Sequence, residues 1–374
     1  MKVLLLTTHL NVGGIARYTA VLARHLKKGG VDVVVASAGG DLEEDLSRDG
    51  IPHYKLNIRT KSEFGPKVIM AIPRLVKILR AEKIEVIHSQ TRVTHVLASA
   101  AGRISRVPYV STCHGFFNHN NIARKMFPFW GDITIAISTS VREHLIRDFK
   151  VRPEKAVLVH NGIELDKFLT PDKIKKESLL RSLGVMPGEV VVGSVGRFVA
   201  LKGFVFLIEA FSEAVKQVKD IRLLLVGTGP EKDALMERAA ALGANDRIIF
   251  DDGKKVGLEV YLSAIDVFAL PSLVEGFGLS LAEAMATGSA CIASDIGGPA
   301  EVVGSDANGI LVPPSDVRGL AAAITYYVSD EAARKSAAEN GKRRVVRNFS
   351  VQDMVRKTID VYGEAARAGK AGRR

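Results

Sequence analysis

Short apolar runs rich in Val and Ile alternate along almost the whole chain with segments of helical period, and this alternation constrains the fold more than any other feature. In the first half, strands are predicted over residues 3–8, 32–37, 53–56, 86–89, 109–112, 133–136 and 156–160, with helices over 15–28, 67–83, 91–104 and 138–147. The pattern then restarts with strands over 190–195, 222–226, 248–250, 267–269, 290–293 and 309–312, and helices over 203–218, 231–242, 279–287, 317–327 and 351–368. The strands are continuously apolar rather than alternating, as expected of parallel strands covered on both faces. Repeated strand–helix alternation predicts an α/β fold of doubly wound sheets. A chain of 374 residues is too long for one core, and the polar stretch 164–178, which contains Pro171, is the best candidate linker. The expectation is therefore two Rossmann-like domains facing a cleft, 1–170 and 171–350, followed by a last helix and a basic tail over 351–374. From Gly369 onward the tail is expected to fray.

Composition excludes several classes. With 47% hydrophobic and 25% charged residues the chain is neither disordered nor fibrous. Its two cysteines, Cys113 and Cys291, stand in no metal-ligand spacing and read as free thiols of a reducing cytosol. The apolar run at Val3–Leu6 is too short for a signal peptide and reads as a first strand. No stretch reaches the roughly 18 uncharged apolar residues of a membrane span. The net charge of +11 is unevenly placed: residues 1–170 hold 25 Lys and Arg against 15 Asp and Glu, the remainder 27 against 26. A basic first half suits an anionic partner. Nucleic acid is not expected, since no recognition motif is present and aromatics are only 6%.

Ligands of doubly wound sheets bind beyond the carboxyl ends of the strands, so the strand-to-helix loops carry the candidates. After the first strand, Gly13 and Gly14 open a helix, which serves equally as a tight turn or as an approach of backbone N–H groups to phosphate. This is not a dinucleotide fingerprint, and no acidic residue ends the second strand at Ala36-Ser37. The loop 193–203 carries two cations, Arg197 and Lys202, beside a helix start that disfavours positive charge. An anion between a planar guanidinium and a point charge would explain them, and a diphosphate fits. Gly227-Thr228-Gly229-Pro230 ends another strand, with Pro chemistry suited to a helix start. The richest segment, Glu275-Gly276-Phe277-Gly278-Leu279 leading to Glu283, sets two carboxylates eight residues apart across a glycine loop and a helix. Eight helical residues span about 12 Å. Paired glycosidase carboxyls lie about 5–9.5 Å apart, which leans against a hydrolase and favours separate jobs for the two acids. Glu283 suits a ribose diol, and Glu275 a sugar hydroxyl near the reacting carbon. The paired glycines of Ser294-Asp295-Ile296-Gly297-Gly298-Pro299 read as turn chemistry.

Taken together, Gly196-Arg197, Lys202-Gly203, Gly227-Thr228-Gly229-Pro230 and Glu275 with Glu283 resemble the retaining glycosyltransferases of the GT-B fold, family 4. Gly13-Gly14 resembles that family's N-terminal glycine pair, and Asn161-Gly162-Ile163-Glu164 its segment closing the first domain, with Glu in place of Asp. The resemblance runs through the whole chain in order and spacing. It implies a nucleotide-diphosphate sugar, UDP- or GDP-linked, bound mostly by the second domain. Arg197 and Lys202 would hold the diphosphate, Glu283 the ribose, and Glu275 the sugar end; Gly13, Gly14, Gly229, Gly276, Phe277, Gly278 and Leu279 would complete the donor site. His114 falls where the family places a histidine near the transferred sugar. It also implies a last helix that crosses back to the first domain, transfer with retention, no metal, and no cofactor beyond the donor substrate.

The acceptor is expected to be a glycan or lipid-linked glycan, as in lipopolysaccharide or other cell-envelope synthesis. The cytoplasm is the expected location, with peripheral contact to the inner face of the cytoplasmic membrane. The basic amphipathic stretch 66–83 would face an anionic membrane surface or simply pack on the sheet with its charges in water. Two rival readings remain: a sugar-nucleotide epimerase of similar architecture, and a non-catalytic nucleotide-binding module.

Overall fold

The computed structural model describes residues 1–11, 13–117 and 129–371. The chain forms two compact units, one of Met1–Gly162 joined by the terminal segment from Val351, the other of Ile163–Ser350. The first holds a seven-stranded sheet in the order β3-β2-β1-β4-β5-β6-β7. Its strands are β1 Lys2–Leu6, β2 Asp32–Ser37, β3 His53–Lys55, β4 Val86–Ser89, β5 Tyr109–Cys113, β6 Ile133–Ala136 and β7 Ala156–Leu158. The second holds a six-stranded sheet in the order β10-β9-β8-β11-β12-β13. These strands are β8 Val190–Val195, β9 Ile221–Val226, β10 Ile248–Asp251, β11 Val267–Leu270, β12 Ala290–Ser294 and β13 Ile310–Val312. Every ladder in both sheets is parallel. Both units are thus doubly wound α/β sheets.

In the first unit the period of two along a strand divides one apolar run between two cores. Val3 and Leu5 of β1 face one core with the helices Gly14–Lys28 and Val351–Ala371, while Leu4 and Leu6 face the other with the helices Pro66–Ala81 and Arg92–Ser105. The helix Arg92–Ser105 begins with a reciprocal cap, in which Thr91 and Thr94 satisfy each other's backbone N–H groups. The terminal helix belongs to the first unit in substance: Val351, Met354, Val355, Val361, Tyr362 and Ala365 are all buried in its core. Tyr362 reaches β4, where its hydroxyl lies 2.7 Å from Nδ1 of the fully buried His88. Thr112 of β5 occupies the other side of that ring, 2.6 Å from Nε2. Both cysteines are free and buried, and burial pushes the Cys113 thiol up to about 12.

Three differences from the sequence reading have physical causes. The expected linker 164–178 is largely helical, with Leu165–Leu169 and Lys173–Ser182 on either side of Pro171, and the chain passes between units earlier, at Gly162/Ile163. Few buried apolar side chains mark these helices; Asp172 caps the second by accepting from the Lys175 N–H at 3.1 Å. A helix of 18 residues, Glu331–Asn348, escapes the periodicity argument because only Ala337, Gly341 and Val345 are buried on it. The helix Val351–Ala371 continues through Gly369, which faces Pro108, so fraying does not begin there; residues 372–374 lie outside the described residues.

Tyr362→Ala should leave a cavity and an unpartnered His88 nitrogen, costing the first unit about 3–5 kcal/mol. The single tryptophan, Trp130, is buried in that unit, so its fluorescence reports the transition; an unchanged urea midpoint would refute the packing role given to Tyr362. Burial also drives the His88 imidazole down to about 3, with the neighbouring His114 adding to the effect. A histidine ordinarily near 6.5 takes up its proton more readily once unfolded. The stability contributed is therefore present above about pH 6.5 and is lost as pH falls from there towards 3. The Trp130 midpoint should drop between pH 7 and pH 5, and drop less in His88→Gln.

Candidate functional site

In each sheet the strand order reverses once, between β1 and β4 in the first unit and between β8 and β11 in the second. Chains leaving the carboxyl ends of the two central strands there diverge to opposite sides, opening a crevice in which doubly wound folds bind ligands. The candidate residues gather at these two places.

In the second unit, β8 runs into Gly196-Arg197-Phe198, a short 3-10 turn Ala200–Lys202, and the helix Phe204–Ala214. Gly203 joins the turn to the helix at φ +65°, and a Cβ there would collide with the Pro271 carbonyl at the end of β11. The loops after the two central strands are therefore in backbone contact. Gly229, in the loop after β9, lies against the backbone of Phe198, where a side chain would not fit. This close approach gives Gly229 a packing role in addition to any ligand contact.

The same contact brings Lys202 to Glu275. Its ammonium bonds directly to Oε2 of Glu275, and the side chains keep only 28% and 17% of their exposure. An ammonium carries three donors, so Lys202 can hold Glu275 and still offer N–H groups to an anion. Arg197 is exposed and has no ion pair among the described residues. Glu275 is followed by Gly276, Phe277 and Gly278, and Gly278 caps the helix Leu279–Thr287. Glu283 is buried on that helix, with 7% exposure. Phe277 lies in the same glycine loop. Its ring is buried, with 1% exposure, and packs edge-on against Phe349 at 5.4 Å.

In the first unit, Gly13 caps the helix Gly14–Lys28, whose first turn carries no acidic residue and whose first N–H groups lack intrahelical partners. Val12, beside it, lies outside the described residues. Thr8, in the loop after β1, hydrogen-bonds Thr91 after β4 at 2.6 Å, tying the two sides of the crevice together. His114 follows β5. Its Nε2 lies 2.9 Å from Oε1 of Gln90, and the Tyr18 ring packs edge-on against it at 4.7 Å. Burial drives the His114 imidazole down to about 3, so the ring is neutral at physiological pH. Gln90, His88 and Tyr18 carry no motif, and sequence reasoning passed over them; their place at the strand reversal becomes visible only with the strand order. Arg92, another missed residue, is buried against Glu63 at 3.2 Å and stacks over Trp130 at 4.8 Å. No helix among the described residues is long and apolar enough to cross a membrane.

Two family models match the chain in succession: Glycosyltransferase Family 4 over residues 12–167 and Glycosyl transferases group 1 over residues 175–344. An uncharacterised glycosyltransferase of Methanocaldococcus jannaschii is 28% identical over 375 residues, with 94% of each chain covered. The UDP-Gal:alpha-D-GlcNAc-diphosphoundecaprenol alpha-1,3-galactosyltransferase of Escherichia coli is 27% identical, with 79% of each covered. Among solved structures, that of HepE from Anabaena in complex with UDP-glucose superposes with a TM-score of 0.85 at 23% identity, covering 97% of this chain and 100% of that one, a likeness of fold. With two parallel-sheet units in the GT-B pattern and both halves matched, the chain belongs to the family 4, group 1 glycosyltransferases.

Proposed function

We propose that the protein transfers a hexose-type sugar, with retention, from a UDP- or GDP-linked donor to a glycan or lipid-linked acceptor of the cell envelope, without a metal. The observation that carries the reading is the Lys202–Glu275 pair at the strand reversal of the second unit, with the exposed Arg197 on the same loop as Lys202. This arrangement sets cations for a diphosphate next to a carboxylate for the sugar. The relatives support it: the Escherichia coli enzyme is named for a UDP-sugar and a lipid-diphosphate acceptor, and HepE was solved with UDP-glucose.

The chemistry follows from charge. As the bond from the anomeric carbon to the phosphate oxygen breaks, negative charge grows on the leaving diphosphate. Arg197, Lys202 and helix-end amides stabilise it more in the transition state than in the ground state. For retention, the acceptor hydroxyl attacks from the face the diphosphate leaves. Its oxygen bonds to the anomeric carbon, and its proton passes to the departing phosphate oxygen. Glu275 orients the sugar hydroxyls and Glu283 accepts from the ribose diol. Gly13, Gly14 and His114 act at the phosphate and sugar from the first unit. An epimerase or a non-catalytic binder would have no use for an acceptor.

The excess charge of the first half acts at the acceptor surface. On the helix Pro66–Ala81, which has no acidic residue, Lys67, Arg74, Lys77 and Arg80 are exposed, together with Ile69 at 61% and Met70 at 78%. This face is suited to the peripheral surface of an anionic membrane.

Lys202→Ala should lower kcat by about 10²–10³-fold while weakening free nucleotide binding far less; near-wild-type turnover would remove Lys202 from the mechanism. Exhaustive chelation should leave the rate unchanged, whereas a loss restored by a divalent ion would overturn the metal-free reading. In co-sedimentation the protein should bind anionic vesicles in preference to neutral ones, with binding weakened by salt and by Met70→Ser. Equal binding to both kinds of vesicle would count against the membrane face.

A further inference from the structure

We infer that Gln90 is a positioning residue for sugar transfer: its side-chain carbonyl accepts from Nε2–H of His114 and fixes the tautomer whose Nδ1 is a bare acceptor for a hydroxyl of the transferred sugar. The inference rests on the donor reading above, in which His114 stands beside that sugar.

The geometry is specific. Gln90 directly follows β4, and its own backbone N–H donates to the Leu6 carbonyl of β1 at 2.9 Å, on the line where the strand order reverses. The next residue, Thr91, caps the helix Arg92–Ser105, so the backbone around Gln90 is held on both sides. The side chain is 1% exposed, and its Oε1 lies 2.9 Å from Nε2 of His114. With the Gln90 carbonyl facing it, Nε2 carries the proton and Nδ1 keeps its lone pair, and the Gln90 amide nitrogen is then left buried without a hydrogen-bond partner. Tyr18 packs edge-on against the ring at 4.7 Å and limits its rotation. Among the described residues Nδ1 has no hydrogen-bond partner of its own. A positioned acceptor on rigid elements is what a working imidazole needs, and the partner of its far nitrogen decides which nitrogen is bare.

The tautomer matters because the transition state of glycosyl transfer is oxocarbenium-like. A sugar hydroxyl that donates to Nδ1 gains electron density at oxygen and so stabilises positive charge developing on the ring. A proton on Nδ1 would reverse that dipole. Among the described residues, Tyr18 on the helix Gly14–Lys28 packs on the ring, and His88 on β4 and His95 on the helix Arg92–Ser105 interact with its charge. His88 and His95 each sense the charge of His114, Arg92 adds positive potential at His95 and Cys113, and it is burial that favours the neutral His114 ring.

Three arms test the inference. Nitrogen-15 NMR of the substrate-free protein should find His114 as the Nε2–H tautomer, and Gln90→Met should lose that single tautomer. In turnover, Gln90→Met should lower kcat by about 10–100-fold with little change in donor KM, the effect typical of an orienting partner. Gln90→Glu keeps an acceptor but supplies a charge that favours imidazolium; it should recover part of the Gln90→Met loss at alkaline pH and acquire an acid limb absent from the wild type. An Nδ1–H tautomer in the wild type, wild-type kcat in Gln90→Met, or an unaltered pH profile in Gln90→Glu would overturn it. Absence of transfer by the wild-type protein from any nucleotide sugar would instead overturn the donor reading, and the NMR arm separates the two failures.

Discussion

Parallel strands that alternate with helices deliver every strand-to-helix loop to the same edge of a sheet, and this constraint shapes the rest of the molecule. Each unit has one place where the strand order reverses, and the candidate residues lie there. In the second unit the reversal lies between β8 and β11, and the loops after those two strands meet where Gly203 lies against Pro271. That backbone contact is why Lys202 and Glu275, 73 residues apart in sequence, share an ion pair. In the first unit the reversal lies between β1 and β4, closed by the Thr8–Thr91 bond, with Gln90 and His114 alongside.

Charge is divided unevenly between the two halves of the chain. The second half is nearly neutral overall, so Arg197 and Lys202 act as local cations in a balanced background. The first half holds the excess, and its helix Pro66–Ala81 exposes cations beside Ile69 and Met70 with no acid to compensate. Local cations suit a leaving diphosphate, where their position relative to developing charge determines their effect. A diffuse basic and apolar face suits a surface, where summed potential and buried area matter more than any single contact.

Each of the thirteen strands in the described residues overlaps a run legible in the sequence, most of them because strands buried on both faces are continuously apolar; the edge strand β3, His53–Lys55, is neither apolar nor buried. Helices with a thin buried stripe were not: Glu331–Asn348 buries too few side chains to mark a period, and Leu165–Leu169 is too short to show one. The candidate site was half legible. Arg197, Lys202, Glu275 and Glu283 stood out because charges beside glycines at strand ends are costly without a purpose. The packing of the Phe277 ring on Phe349, far along the chain, was not legible, since nothing in the sequence links the two. Gln90 left no signal, because its contact with His114 depends on what β4 and β5 bring together.

The central claim is retaining transfer from a nucleotide sugar, and the anomeric configuration of the product tests it most directly. Purified protein would be incubated with a panel of UDP- and GDP-sugars together with lipid-linked and soluble glycan acceptors, and the product followed by proton NMR through the coupling at the new anomeric centre. The account predicts a glycoside with the configuration of the donor, formed in step with free nucleoside diphosphate. An inverted product, or a sugar epimerised without transfer, would contradict it.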